Sequence, residues 1–156
     1  MSTGPGNEVT IVRVLDAPRD KVWRALEEPE ALARWWGLPM VATMLSCKVD
    51  FRLGGTLHCA IAMPGNPTFW FKWIYREIVA GERLVLEQHF SDASGAELDS
   101  AARPVSTITL VLEDTGAKTQ LTVEHAGMAS DAHRVEDYRQ GWSESLDRLA
   151  ASLAQA

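Results

Sequence analysis

A chain of 156 residues with a net charge of -6 and a pI near 5.2 is the size of one domain, which at this length buries roughly 68–70% of its unfolded surface. That acidic balance, with no local run of Lys or Arg to offset it, argues against nucleic acid or an anionic lipid surface as a partner. The opening MSTGPGNE has neither a basic start nor an apolar core, and no later segment approaches roughly 18 apolar residues, so the expectation is a cytoplasmic protein without membrane insertion, disordered over 1–7 and folded as a single domain over 8–156.

Val9, Ile11, Val12 and Val14 form a β-branched run that ends at Asp16-Ala17-Pro18 and predicts a first strand. Pro18 suits the first turn of a helix carrying Val22, Trp23 and Leu26 at helical spacing, and Pro29 ends it. Glu30 to Trp36 predicts a second short helix, closed by Gly37 and Pro39. From Thr43 the pattern turns extended: Leu45, Cys47, Val49 and Phe51 alternate with Ser46, Lys48, Asp50 and Arg52. The next strand carries Leu57, Cys59, Ile61 and Met63 on one parity. A three-residue loop, Leu53-Gly54-Gly55, would pair Phe51 with Leu57, Val49 with Cys59 and Cys47 with Ile61. In that register Cys47 and Cys59 lie diagonally on one face, too far apart to bridge, and read as free, inert packing thiols.

Pro64-Gly65-Asn66-Pro67 turns the chain into its most aromatic strand, with Phe69, Phe71, Trp73 and Tyr75 on one parity. Together with Leu45, Val49, Phe51, Leu57 and Ile61 they would build one apolar wall. Gly81-Glu82 leads into a strand from Arg83 to Phe90, and a polar loop spans Ser91 to Arg103. Two further strands, Val105 to Leu112 and Thr119 to His125, flank a hairpin turn at Asp114-Thr115-Gly116. The chain closes on a long amphipathic helix from Asp131 to Leu153, capped by Ser130 or Asp131. Val135, Tyr138, Trp142, Leu146, Leu149 and Leu153 form its apolar stripe. Seven strands, two short helices after the first of them and a long terminal helix make an α+β arrangement.

This order resembles the helix-grip fold of the START and Bet v 1-like superfamily, and within it the activator of Hsp90 ATPase homologue 1-like (AHSA1-like) SRPBCC proteins. The matching stretches are Ala17-Pro18 with Val22-Trp23, Leu32 with Trp35-Trp36-Gly37, Val49-Asp50-Phe51-Arg52 with Gly54-Gly55, Tyr75-Arg76-Glu77-Ile78, Glu82-Arg83-Leu84-Val85, and Gly141-Trp142 with Leu146 and Leu149. The resemblance implies a curved seven-stranded antiparallel sheet gripping the C-terminal helix, with a hydrophobic cavity between them that in relatives accepts apolar molecules. Trp73 stands where such relatives commonly carry a small residue, which implies a partly plugged pocket.

A pocket of this kind would be lined by Trp23, Phe51, Phe71, Trp73, Tyr75, His125, Tyr138 and Trp142, although an aromatic stripe also reads as ordinary core. Three functions compete. The first is binding of a small hydrophobic or aromatic molecule. The second is a cyclase or hydrolase using the same pocket, with His125 and Tyr75 as the catalytic candidates; a lone inward histidine reads equally as a satisfied core residue. The third, implied by the family name alone, is an Hsp90-type chaperone cofactor; it ranks last because the eukaryotic activator carries a further N-terminal domain. His58 reads as exposed, His89 as less clearly inward than His125, and His133 as solvated. No close His or Cys spacing or phosphate loop predicts a metal or cofactor. The edge strand at Val9 to Val14, or an exposed Trp70, could support a homodimer.

Overall fold

The computed structural model describes residues 8–36, 43–96, 105–127 and 132–155, the side chains at 132–134 and 155 excepted. Seven strands form one antiparallel sheet: β1 Glu8–Leu15, β2 Thr43–Val49, β3 Thr56–Ala62, β4 Phe69–Val79, β5 Arg83–Ser91, β6 Ser106–Thr115 and β7 Lys118–Ala126. Their spatial order is β1-β7-β6-β5-β4-β3-β2, so every neighbour after β1 is a sequence neighbour and only β1 crosses to the far edge. Helices α1 Arg19–Glu27 and α2 Pro29–Trp35 fill that crossing, and α3 Ala132–Gln155 ends the chain. This is the curled sheet and terminal helix of the helix-grip fold.

The two prolines that bound α1 act one step from where the sequence suggests. Pro18, extended at ψ 158°, caps α1 rather than entering its first turn. Pro29 forces Glu28 out of the helical region, to ψ 130°, and itself opens α2. Gly37 and Pro39, the Ser130 and Asp131 caps, the His133 side chain and residues 97–103 of the Ser91 to Arg103 loop lie outside the described residues.

The β2–β3 hairpin differs from expectation. Val49 faces Leu57, Lys48 faces His58 and Cys47 faces Cys59 directly. The Asp50 N–H to Thr56 carbonyl bond, 2.8 Å, leaves residues 51–55 as the loop. That loop is held from outside the hairpin: Gly54 N–H donates to the Tyr75 carbonyl at 2.8 Å, and Tyr75 N–H returns the bond to Gly55 at 3.0 Å. Gly54 sits at φ +80°, and a Cβ on Gly55 would run into the Asp50 carbonyl oxygen, so the hook onto β4 requires both glycines. The partner offset is two residues, which exchanges partners without exchanging faces. Leu45 is the exception. A bulge between Met44 and Ser46 turns it outward, 58% exposed, off the predicted concave wall.

The core lies between the concave face and the helices. Leu84, Leu86, Ile108, Leu110, Leu121 and Val123 from the sheet pack with Trp142, Leu146, Leu149 and Leu153 from α3, and with Val22, Leu26, Leu32 and Trp35 from the short helices. Among the described residues no helix is long and apolar enough to cross a membrane.

Candidate functional site

The concave face divides into two zones that differ in how completely they are covered. Over β5 to β7, α3 reaches the sheet through polar as well as apolar contacts. His125 projects from β7 with no exposed surface. Its Nε2 lies 2.7 Å from Ser106 Oγ, and the indole N–H of Trp142 donates to its Nδ1 at 3.0 Å. One helical turn earlier, Tyr138 stacks edge-on against the same ring at 4.7 Å and accepts from the Gln88 side-chain amide at 3.2 Å. Gln88 Oε1 in turn accepts the indole N–H of Trp73 at 2.9 Å. Tyr138, Trp142 and Ser145, whose hydroxyl bonds the Trp35 carbonyl, share one face of α3 by helical spacing.

This network determines what His125 can do. An indole N–H is a donor only, so Nδ1 must be the unprotonated nitrogen and Nε2 carries the hydrogen toward Ser106. A general base for Ser106 would need the opposite tautomer, with its proton held at Nδ1 by an acceptor. Burial also lowers the His125 pKa to about 4, keeping the ring neutral. The arrangement is that of a satisfied core histidine.

Below Trp73 the space is occupied by another tryptophan. Trp36 stands edge-on to Trp73 at 5.8 Å, to Trp142 at 5.5 Å and to Trp35 at 5.4 Å, joining sheet, α3 and α2 through one cluster. The sequence reading named Trp73 as the plug; Trp36, at the end of α2, completes it. Trp-Trp-Gly was visible in the sequence as a motif, but its second ring had no assigned neighbour there.

The other zone, over β2 to β4, is less fully covered. Met44, Cys47, Val49, Phe51, Phe69 and Phe71 point to the concave side yet are only partly buried. Phe71 is the hub, 5.5 Å from Phe69, 5.1 Å from Trp73 in a stacked contact and 4.7 Å from Phe90. Phe51 stands 5.0 Å from Tyr75 and 6.0 Å from Trp23, so the loop contributes to the wall although the strand has ended. At the rim, a recess of about 430 Å³ is lined by Met63, Asn66, Pro67, Thr68 and Phe69. A separate groove of about 730 Å³ lies outside, among α1, α2 and the end of α3, and is lined largely by charge from Lys21, Arg24, Glu28, Arg34 and Arg148.

Two buried polar atoms have no hydrogen-bond partner among the described residues, the Trp36 indole N–H and the Tyr75 hydroxyl. Burial, and secondarily the two cysteines and Asp50, push the Tyr75 pKa upward, so the phenol keeps its proton. An unsatisfied buried group of this kind costs about 1–3 kcal/mol.

The eight ligand-wall candidates therefore separate. Phe51, Phe71 and Tyr75, with Trp23 behind Phe51, lie in the partly covered zone, whereas Trp73, His125, Tyr138 and Trp142 lie in the hydrogen-bonded seam. His58 and His89 face away from the concave side. His58 is half-buried rather than exposed, because it stacks on Trp70 at 4.7 Å and reaches Ser91 and Asp92 at 3.2 Å. His89 sits on the convex side, 8% exposed, 2.7 Å from Glu87. Trp70, a candidate for a dimer contact, is partly covered by His58. Among the described residues no group of three or more His, Cys, Asp or Glu is placed to hold a metal ion.

Comparison with known proteins gives a consistent result. A family model described as activator of Hsp90 ATPase homolog 1-like protein matches residues 16–154. A crystal structure from Chromobacterium violaceum is 30% identical, covers 94% of this chain and 96% of its own, and superposes with a TM-score of 0.79. One from Nitrosomonas europaea is 24% identical over 97% and 96%, with a TM-score of 0.80. A solution structure from Arthrobacter aurescens, 24% identical over 100% and 91%, also reaches 0.80. No curated protein matches at a significant level.

Proposed function

The chain belongs to the activator of Hsp90 ATPase homolog 1-like family, and from that premise we propose that it binds a small apolar or aromatic molecule carrying a hydrogen-bond acceptor. The binding surface is the partly covered zone of the concave face: Phe51, Phe69 and Phe71 supply the apolar wall and Tyr75 the donor. Trp73, His125, Tyr138 and Trp142 act as its floor and brace. The observation that carries this reading is the Tyr75 hydroxyl, buried without a partner beside aromatic side chains that remain partly exposed. A fixed donor among apolar residues orients a ligand by its acceptor atom and recovers the desolvation already incurred. Trp36, whose N–H is also unpartnered, offers a second donor for the same acceptor chemistry.

The test is displacement of a fluorescent apolar probe from the native chain by aromatic compounds matched in size, with and without a carbonyl or carboxylate oxygen. Compounds with the acceptor should displace the probe at lower concentration, and Tyr75→Phe should remove that difference while leaving probe binding intact. A native chain that binds no probe saturably, or a Tyr75→Phe variant that discriminates as well as the native chain, would refute the assignment.

A further inference from the structure

Cys47 and Cys59 face each other across the β2–β3 ladder with their sulfur atoms 3.2 Å apart, both as free thiols. The ladder position matters. The Asp50 N–H to Thr56 carbonyl bond marks Asp50 and Thr56 as a hydrogen-bonded pair, and in an antiparallel ladder such pairs alternate with non-hydrogen-bonded ones. Counting back, Lys48 with His58 is hydrogen-bonded and Cys47 with Cys59 is not. Non-hydrogen-bonded pairs bring their side chains closest, with a Cα separation of about 4.5 Å, inside the range a disulfide accepts. A bond would require the sulfurs to close by roughly 1 Å, to about 2.05 Å.

The two thiols are chemically unequal. Cys59 has no exposed surface, while Cys47 lies on the edge strand and is partly exposed. The Cys59 S–H donates to Cys47 Sγ, which stabilises a thiolate on Cys47 and holds the proton on Cys59. Thiol reactivity follows thiolate character and access, and both favour Cys47.

We propose that Cys47 and Cys59 form an oxidative modification site, a dithiol that a peroxide closes to an intrachain cross-strand disulfide. The Cys47 thiolate attacks one peroxide oxygen, the O–O bond breaks, and the other oxygen leaves as hydroxide or alkoxide that takes up a proton from water. Cys47 is then a sulfenic acid. Cys59 attacks Cys47 Sγ, the S–O bond breaks, and the departing hydroxide leaves as water with the Cys59 proton. Two thiols are oxidised and one peroxide is reduced to water and an alcohol, or to two waters from hydrogen peroxide. The site depends on the hairpin register alone and stands whether or not the concave face binds a small molecule.

The experiment is hydrogen peroxide titration of the native full chain, followed by thiol counting, intact mass and peptide mapping after alkylation without reductant. The expected result is loss of both titratable thiols, a mass decrease of two hydrogens, a Cys47–Cys59 linked peptide within one chain, and full reversal by dithiothreitol. Cys59→Ser should stop at a sulfenic acid on residue 47 that dimedone traps, and Cys47→Ser should leave Cys59 unreacted. Retention of both thiols, over-oxidation of Cys47 with Cys59 still reduced, or a bond between two chains would each overturn the proposal. Where a serine variant fails to fold, the linked peptide in the native chain decides alone.

Discussion

The two halves of the concave face are built from the same alternating pattern and differ only in what covers them. Over β5 to β7, the inward residues are buried and the polar atoms of His125, Gln88 and Trp142 find partners on neighbouring elements. Over β2 to β4, Leu57, Cys59, Ile61, Trp73 and Tyr75 are buried, but Met44, Cys47, Val49, Phe51, Phe69 and Phe71 around them are equally apolar yet partly exposed, and the Tyr75 hydroxyl is buried alone. Apolar patterning therefore specifies which way a side chain points, whereas the length and placement of α3 specify whether it is sealed. One half of the sheet is sealed beneath α3; the other keeps apolar side chains partly exposed.

Removing a ring from the sealed half should have the largest effect. Trp142→Ala deletes contacts with Trp36 and His125 and strands the His125 Nδ1 lone pair, so urea unfolding should show a loss of about 3–5 kcal/mol. A loss below about 1 kcal/mol would mean that this half does not carry the stability assigned to it.

Acid should attack the same half next. The His125 pKa is lowered to about 4 in the folded chain, against about 6.5 for an ordinary imidazole, so between those values the unfolded chain binds the extra proton. The stabilising contribution is complete above about pH 6.5 and is lost as the pH falls toward 4, by about 3 kcal/mol. Stability measured across that window should fall in the native chain and much less in His125→Phe; parallel profiles would show that His125 is not the group responsible.

Phe71→Ala probes the other half. Because the ring is only partly buried, the stability loss should be about 1–2 kcal/mol, while affinity for an aromatic probe should fall about tenfold, one well-placed ring contact. Equal losses from Phe71→Ala and Trp142→Ala in stability would erase the contrast between the halves. Tyr75→Phe should give the smallest change and the opposite sign. Removing an unpartnered hydroxyl should raise the stability of the empty protein by about 1 kcal/mol, and a melting temperature below that of the native chain would show that the hydroxyl is already satisfied.

Much of this was legible in the chain. The seven strands follow from period-two runs bounded by glycine and proline, and α3 from the three-and-four spacing of Val135 to Leu153. The inward direction of Phe71, Tyr75 and His125 follows from parity, which even the shifted β2–β3 register preserves. The register itself was not legible, because the loop at Gly54 and Gly55 is anchored by Tyr75, twenty residues downstream of Gly55, and not within its own hairpin. The bulge that expels Leu45 has no local marker either.

The candidate site shows the same limit more sharply. Composition and spacing determined strands with one apolar face, a long amphipathic helix and a set of aromatic residues on their apolar sides, because burial periodicity is written along one segment at a time; the curl of the sheet around the helix came from the family resemblance. Tertiary structure alone decided which of those residues are spent on one another: that Trp36 fills the space beneath Trp73, that Trp142 fixes the His125 tautomer, and that Cys47 meets Cys59. Those outcomes depend on contacts between residues distant in the chain, and the energy of such a contact belongs to the pair and is carried by neither segment alone.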